Sequence, residues 1–267
     1  MYDLNIHLPK GNQKESINLI SEDLSMKGKA LKDAYKYHQK QIERYNNGGN
    51  FMLFNQDLKP DDIKTLKNTI SKDFHYHLTW LVNFRDQNIF SNVEAMHKAG
   101  INGIKFHSYV QSIDNKSIQS CIELAKYSSD LGLTILIDAS YGTTKMYDFD
   151  NLKLAASIID VIKKTPIIIL HSGGARVLEA LLLADSAKNV FLETSFTIPY
   201  YKSSTISDDI AFAYKKLGPE RVIYGSDYPY VSFQESIRET NNFFKKYRFS
   251  DKEIETILNN NNEFFIC

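Results

Sequence analysis

Two cysteines, Cys121 and the final residue Cys267, are too few for a disulfide framework or a thiolate zinc site, and they suit a reducing compartment. Excess charge is missing as well. The 32 Lys plus Arg balance 32 Asp plus Glu, so no net field draws the chain to nucleic acid or an anionic membrane. No apolar run approaches the length of a membrane span. The opening Met1-Tyr2-Asp3-Leu4-Asn5-Ile6-His7 carries no basic leader, so no signal peptide is expected. A glycine-rich turn after the first apolar run is also lacking, which argues against a dinucleotide-binding sheet. Repeats and low-complexity tracts are absent apart from the Asn259–Asn262 run. The expectation is a soluble, cytoplasmic protein, monomer or homo-oligomer, that acts on a small molecule.

What the chain does contain is a regular alternation. Short β-branched or aromatic runs predict strands at roughly 2–7, 50–55, 77–84, 102–107, 133–139, 166–171, 189–195 and 221–226. Apolar stripes at helical spacing separate them, such as Ile118, Cys121, Ile122 and Ala125, or Leu152, Ala155, Ala156 and Ile159. Gly100, Gly132 and Gly218 stand where helix ends need left-handed caps. Eight strands alternating with helices over 267 residues predict one α/β domain, a parallel (β/α)8 TIM barrel. The departure is a helical insertion after the first strand, about residues 10–48, with a helix from Lys29 to Tyr45. It is a candidate lid or subunit contact.

In such a barrel, chemistry gathers at the C-terminal ends of the strands. The run Val222-Ile223-Tyr224-Gly225-Ser226-Asp227-Tyr228-Pro229 ends a strand in a carboxylate. Period-two alternation turns Asp3, Asn5 and His7 inward on strand one. By the same rule it turns in Gly103, Lys105 and His107, then Asp138 and Ser140, Ile169 and His171, Glu193 and Ser195, and Gly225 and Asp227. Singly, each has a structural reading: a core histidine, a cap, a buried ion pair. Together they crowd ionisable groups into one mouth, which is costly unless they pair with each other or with a cation. His75 and His77 have a metal-like spacing but fall at the N-terminal end of strand three, the stability face. His38 and His97 read as surface residues.

These segments, in order, resemble the amidohydrolase-related metal-dependent hydrolases, the branch that includes decarboxylases and lactonases. The resemblance rests on Asp3-Leu4-Asn5-Ile6-His7, Gly103-Ile104-Lys105-Phe106-His107, Ile135-Leu136-Ile137-Asp138 and His171-Ser172-Gly173-Gly174. Gly225-Ser226-Asp227-Tyr228-Pro229 and the closing helix Ile254 to Phe265 complete it. It implies hydrolysis of an amide, lactone or ester bond in a small carboxylated substrate, with decarboxylation or a catalytically silent barrel as alternatives. The family's usual site holds one divalent ion between two strand-one histidines, a strand-five histidine and the strand-eight aspartate. His7 and Asp227 match as ligands, and His171 matches as the site histidine. Asn5 and Asp138 replace the other two. The set His7, Asn5, Asp138, His171 and Asp227 suits manganese or iron better than a nitrogen-rich zinc site, although zinc stays open. Loss of the metal is a third option, since the family includes metal-independent hydrolases. The resemblance implies a metal held by His7, Asp138 and Asp227 that activates water, with Asp227 as the base and His171 as the acid or oxyanion partner; without the metal, Lys105 or His107 would polarise the substrate carbonyl. Lys105, His107 and Arg176 are the expected substrate-binding groups, and the Tyr200-Tyr201 loop the expected specificity element.

Overall fold

The computed structural model describes residues 1–10, 22–141 and 143–259. Eight strands pair in parallel in chain order: β1 Tyr2–His7, β2 Gly48–Leu53, β3 His75–Leu81, β4 Gly103–His107, β5 Thr134–Asp138, β6 Ile167–Leu170, β7 Val190–Glu193 and β8 Val222–Ile223. Bonds from Leu4 N–H to Tyr224 O (3.0 Å) and from His7 N–H to Tyr228 O (2.7 Å) bring the chain after β8 back onto β1. The barrel is thereby closed. Its strands read as near-continuous apolar runs because both faces are covered, as Ile167-Ile168-Ile169-Leu170 shows.

The surrounding helices are α1 Gly28–Tyr45, α2 Pro60–Lys67, α3 Ile89–Ala99, α4 Ile118–Asp130, α5 Asn151–Val161, α6 Val177–Ser186, α7 Thr197–Tyr201, α8 Ile206–Leu217, α9 Phe233–Lys246 and α10 Asp251–Asn259. Gly100, Gly132 and Gly218 follow α3, α4 and α8 with φ of +114°, +83° and +93°. The closing helix is described to Asn259; its expected continuation to Phe265, and Cys267, lie outside the described residues.

Two apolar layers make the core. The outer layer joins strands to helices; the inner one, inside the barrel, contains Leu4, Met52, Leu136, Ile168 and Leu170. The insertion's helix α1 belongs to the outer layer. It buries Leu31, Ala34, Tyr35, His38 and Ile42, and Tyr35 meets Phe51 of β2 edge-on at 5.6 Å between ring centres. His38 is therefore not a surface residue. Its Nδ1 meets the Tyr228 hydroxyl and its Nε2 meets Pro9 O, each at 2.9 Å.

His75 and His77 sit at the barrel floor, away from the cavity. The Tyr2 hydroxyl lies 2.6 Å from His77 Nδ1, and burial, then the charge of His75, lowers the His77 pKa from 6.5 to about 4. A histidine depressed in the folded state contributes stability that is present above pH 6.5 and lost as the pH falls to about 4. The loss approaches about 3 kcal/mol. His77→Gln retains an acceptor for Tyr2, so its melting temperature should fall less than the wild type's between pH 6.5 and 4. Parallel declines would show that His77 is not the acid-sensitive group.

Candidate active site

The C-terminal ends of the strands open into a cavity of about 700 Å³. His7, Lys105, His107, Asp138, His171 and Asp227 reach it, and Phe54, Tyr109, Tyr141, Phe196, Tyr200 and Tyr230 wall it. Each polar group arrives by its strand. Lys105 pairs in register with Leu136, and His107 with Asp138, so two neighbouring strands deliver three charged or polar tips to one place.

Asp138 is the hub. Its Oδ2 lies 2.8 Å from Lys105 Nζ, 3.4 Å from His171 Nε2 and 3.6 Å from His107 Nε2. Its Oδ1 accepts from Ser140 N–H (3.0 Å) and Ser140 Oγ–H (2.5 Å). Burial alone would raise this carboxyl, but the positive charges of Lys105 and His171 outweigh it and hold Asp138 well below the usual carboxylate range. Burial would also lower His171; Asp138, Asp227 and Glu193 reverse that and raise it to about 9, so it is an imidazolium near neutrality. His107 goes the other way. Burial depresses it to about 3 and leaves it neutral. Lys105 is almost fully buried, with Nζ 4.5 Å over the Phe54 ring. Its contact with Asp138 is an ion contact without hydrogen-bond alignment, which leaves its N–H groups undirected.

Asp227 stands opposite, at φ 62°, with its N–H bonded to Asn5 O at 3.0 Å. Its Oδ1 is 3.5 Å from His7 Nε2, while His7 Nδ1 lies 2.6 Å from Asp23 Oδ2. A carboxylate only accepts, so Nδ1 carries the proton and Nε2 faces the cavity. Asp23 comes from the insertion after β1 and has no strand pattern to announce it. Of the aromatic walls, Tyr109, Tyr141, Phe196 and Tyr230 lie between the named elements, Phe54 directly follows β2, and Tyr200 is in helix α7.

Two expected site residues do not reach the cavity. Strand β1 slips register between Asp3 and Ile6, so Tyr2 and Leu4 fill the inner core, and only then does His7 point inward. Asn5 is turned across Gly225, past the end of β8, where its Nδ2 donates to Ser195 Oγ just beyond β7 at 2.9 Å. Arg176 faces outward, held by Asp150 (2.9 Å), Glu179 (2.5 Å) and the Tyr141 hydroxyl (2.8 Å). On β6 the inward residues are Ile168 and Leu170, not Ile169. His171 enters because the backbone turns left-handed at His171, Ser172, Gly173 and Gly174, φ +58° to +49°, +80° and +56°.

A divalent ion needs several lone pairs converging on one point. Among the described residues, no three His, Cys, Asp or Glu side chains stand where one ion would touch them all. Moreover, the Lys105 ammonium already neutralises Asp138 and would repel a cation there. The Asn5 Nδ2 donates to Ser195, while its Oδ1, the atom that could ligate, is buried without a hydrogen-bond partner. In this arrangement the positive group nearest Asp138 is the Lys105 ammonium.

The same barrel recurs in solved structures. A probable 2-pyrone-4,6-dicarboxylic acid hydrolase from Acinetobacter baumannii, with citric acid bound, is 15% identical with a TM-score of 0.64 over 99% of this chain and 98% of that one. An uncharacterised TIM-barrel protein from Bordetella bronchiseptica is 14% identical, TM-score 0.69, over 99% and 97%. A dihydroxybenzoic acid decarboxylase from a Polaromonas species, with manganese and 2-nitroresorcinol bound, is 9% identical, TM-score 0.59, over 99% and 96%. At such identities the likeness shows the fold. No curated protein matches the sequence significantly. The family described as amidohydrolase, however, matches residues 91–263, the span that supplies Lys105, His107, Asp138, His171 and Asp227. With that match over most of its length, the chain belongs to the amidohydrolase family.

Proposed function

We propose that this barrel is a hydrolase that cleaves an acyl C–O or C–N bond in a small carboxylated substrate, with Lys105 and His171 supplying the positive charge. One observation carries the reading: a carboxylate, Asp227, and a cationic pair, Lys105 and His171, face one aromatic-walled cavity. Asp227 Oδ1, 3.5 Å from His7 Nε2, faces the cavity as an acceptor for a water's proton. Asp227 takes that water's proton as the oxygen attacks the acyl carbon. The oxyanion develops against the His171 Nε2–H, inside a site where water is scarce and charge interactions are strong. Collapse expels the alcohol or amine, which receives a proton from His171 or from protonated Asp227. Lys105 holds the substrate carboxylate with its undirected N–H groups.

A second reading has its own support. An imidazolium facing aromatic walls also suits proton delivery to a ring carbon as carbon dioxide leaves, and two of the similar structures are decarboxylases of 5-carboxyvanillate and 2,6-dihydroxybenzoate.

A panel separates the readings: 2-pyrone-4,6-dicarboxylate, a carboxylated lactone, with p-nitrophenyl acetate for acyl hydrolysis, and 2,6-dihydroxybenzoate for carbon dioxide release. Hydrolysis should persist within about twofold after dialysis against EDTA, because no step uses metal-bound water. Activity lost to EDTA and restored by manganese would overturn the cationic-pair mechanism.

A further inference from the structure

Beneath His171 lies a buried polar group that no step above employs. Ser195 Oγ is 2.8 Å from Glu193 Oε2, 2.9 Å from Asn5 Nδ2 and 3.1 Å from His171 Nδ1. Glu193 Oε1 accepts from Ser195 N–H at 2.7 Å, and Oε2 accepts from His171 N–H at 2.9 Å. Both carboxylate oxygens therefore act as acceptors, and the Ser195 hydroxyl must give its single proton to Glu193. Asn5 Nδ2 is itself a donor. Ser195 Oγ can then only accept from His171. The Ser195 carbonyl, 3.2 Å from the same Nδ1, can also only accept. Both neighbours of Nδ1 demand a proton on it.

We infer that Glu193, acting through Ser195, positions His171 by fixing a proton on Nδ1, so that the proton exchanged in the reaction is always the one on Nε2. Nε2 faces Asp138 and the cavity, whereas Nδ1 faces the closed floor. Were the tautomer reversed, the bare lone pair of Nδ1 would face the lone pairs of Ser195 Oγ and Ser195 O with no proton between them. Gly225 makes room for this device: a Cβ there would fall 1.9 Å from Glu193 Oε1. This assigns a task to the glycine of the Gly-Ser-Asp segment as well as to its aspartate. Asn5 likewise becomes part of the relay. The inference deepens the proposed function, since it takes His171 as the group that moves a proton in the cavity. Glu193 and Ser195 are positioning residues and touch no substrate.

The test needs no substrate. Protein labelled with ¹⁵N in histidine is examined by long-range proton–nitrogen spectra at about pH 10.5, above the raised His171 titration. The His171 signals are identified by their loss in His171→Gln. In the wild type, Nδ1 should carry the proton, favoured roughly tenfold or more over Nε2. Glu193→Gln and Ser195→Ala should bring the ratio towards parity, with amide spectra verifying the fold of each. A wild-type Nε2–H tautomer overturns the inference even if neither variant folds. Folded variants that keep the wild-type ratio overturn it too. If the tautomer is as inferred yet no acyl compound is turned over, the relay stands and the hydrolase reading fails.

Discussion

Replacing Asp227 with asparagine is expected to lower kcat for any hydrolysed substrate by roughly 10²–10⁴-fold, the usual worth of a general base. Binding should change little, because Asp227 acts on the attacking water rather than on the substrate carboxylate. The substitution isolates chemistry from folding. Asparagine has the same shape and tolerates left-handed backbone, which Asp227 adopts at φ 62°. The bond from its N–H to Asn5 O is also retained. The measurement is kcat and KM for the fastest substrate of the panel, with thermal melting as the control for fold. A folded Asp227→Asn protein with kcat within threefold of wild type would remove Asp227 as the base.

Lys105→Met should have the largest effect on stability. Lys105 and Asp138 are almost fully buried and 2.8 Å apart, so methionine leaves a carboxylate inside the barrel without its partner. Removing one member of a buried pair costs roughly 3–5 kcal/mol. His171 Nε2 remains 3.4 Å from Asp138 and puts the expectation near the lower end of that range. For a chain this large, each kcal/mol shifts Tm by roughly 2–4 °C, so a fall of about 6–12 °C is expected. Pairing the change with Asp138→Leu removes the stranded charge and should recover much of the loss, because apolar replacements of buried pairs are often neutral. Both proteins should be inactive, so only the melting temperature separates them. Equal melting of the single and double variants would show that Asp138 does not depend on Lys105.

The two substitutions also weigh the metal question. A site organised around an ion would lose its centre with Asp138, and the protein would respond to added manganese or zinc. A site organised around the Lys105–Asp138 pair should show no thermal stabilisation by either ion. In the proposed mechanism the charge is supplied by a residue of the chain, built in at folding rather than bound afterwards.

Much of this was legible in the sequence because it follows from local rules. Apolar runs such as Ile167-Ile168-Ile169-Leu170 can only be strands covered on both faces, and Gly100, Gly132 and Gly218 mark helix ends wherever they fold. Parallel strands all open the same way, so the ends carrying Lys105, His107, Asp138, His171 and Asp227 had to share one mouth. Which side chains enter that mouth was another matter. Period-two counting assumes an unbroken pleat. The slip in β1 between Asp3 and Ile6 removes Asn5 from the cavity; counting placed Ile169 and His171 inward, whereas Ile168 and Leu170 fill the barrel and left-handed backbone after Leu170 brings His171 in as well. Arg176 was lost to Asp150 and Glu179, a local pairing that composition does not reveal. Asp23, and Tyr109, Tyr141, Phe196 and Tyr230 of the walls, lie outside the named strands and helices, with no periodicity to read. The sequence by itself determined the barrel and the address of its chemistry, since both follow from hydrophobic period and chain direction. Only the tertiary structure decided that an ammonium sits on Asp138, and which proton His171 holds, because those depend on distances between strands far apart in the chain.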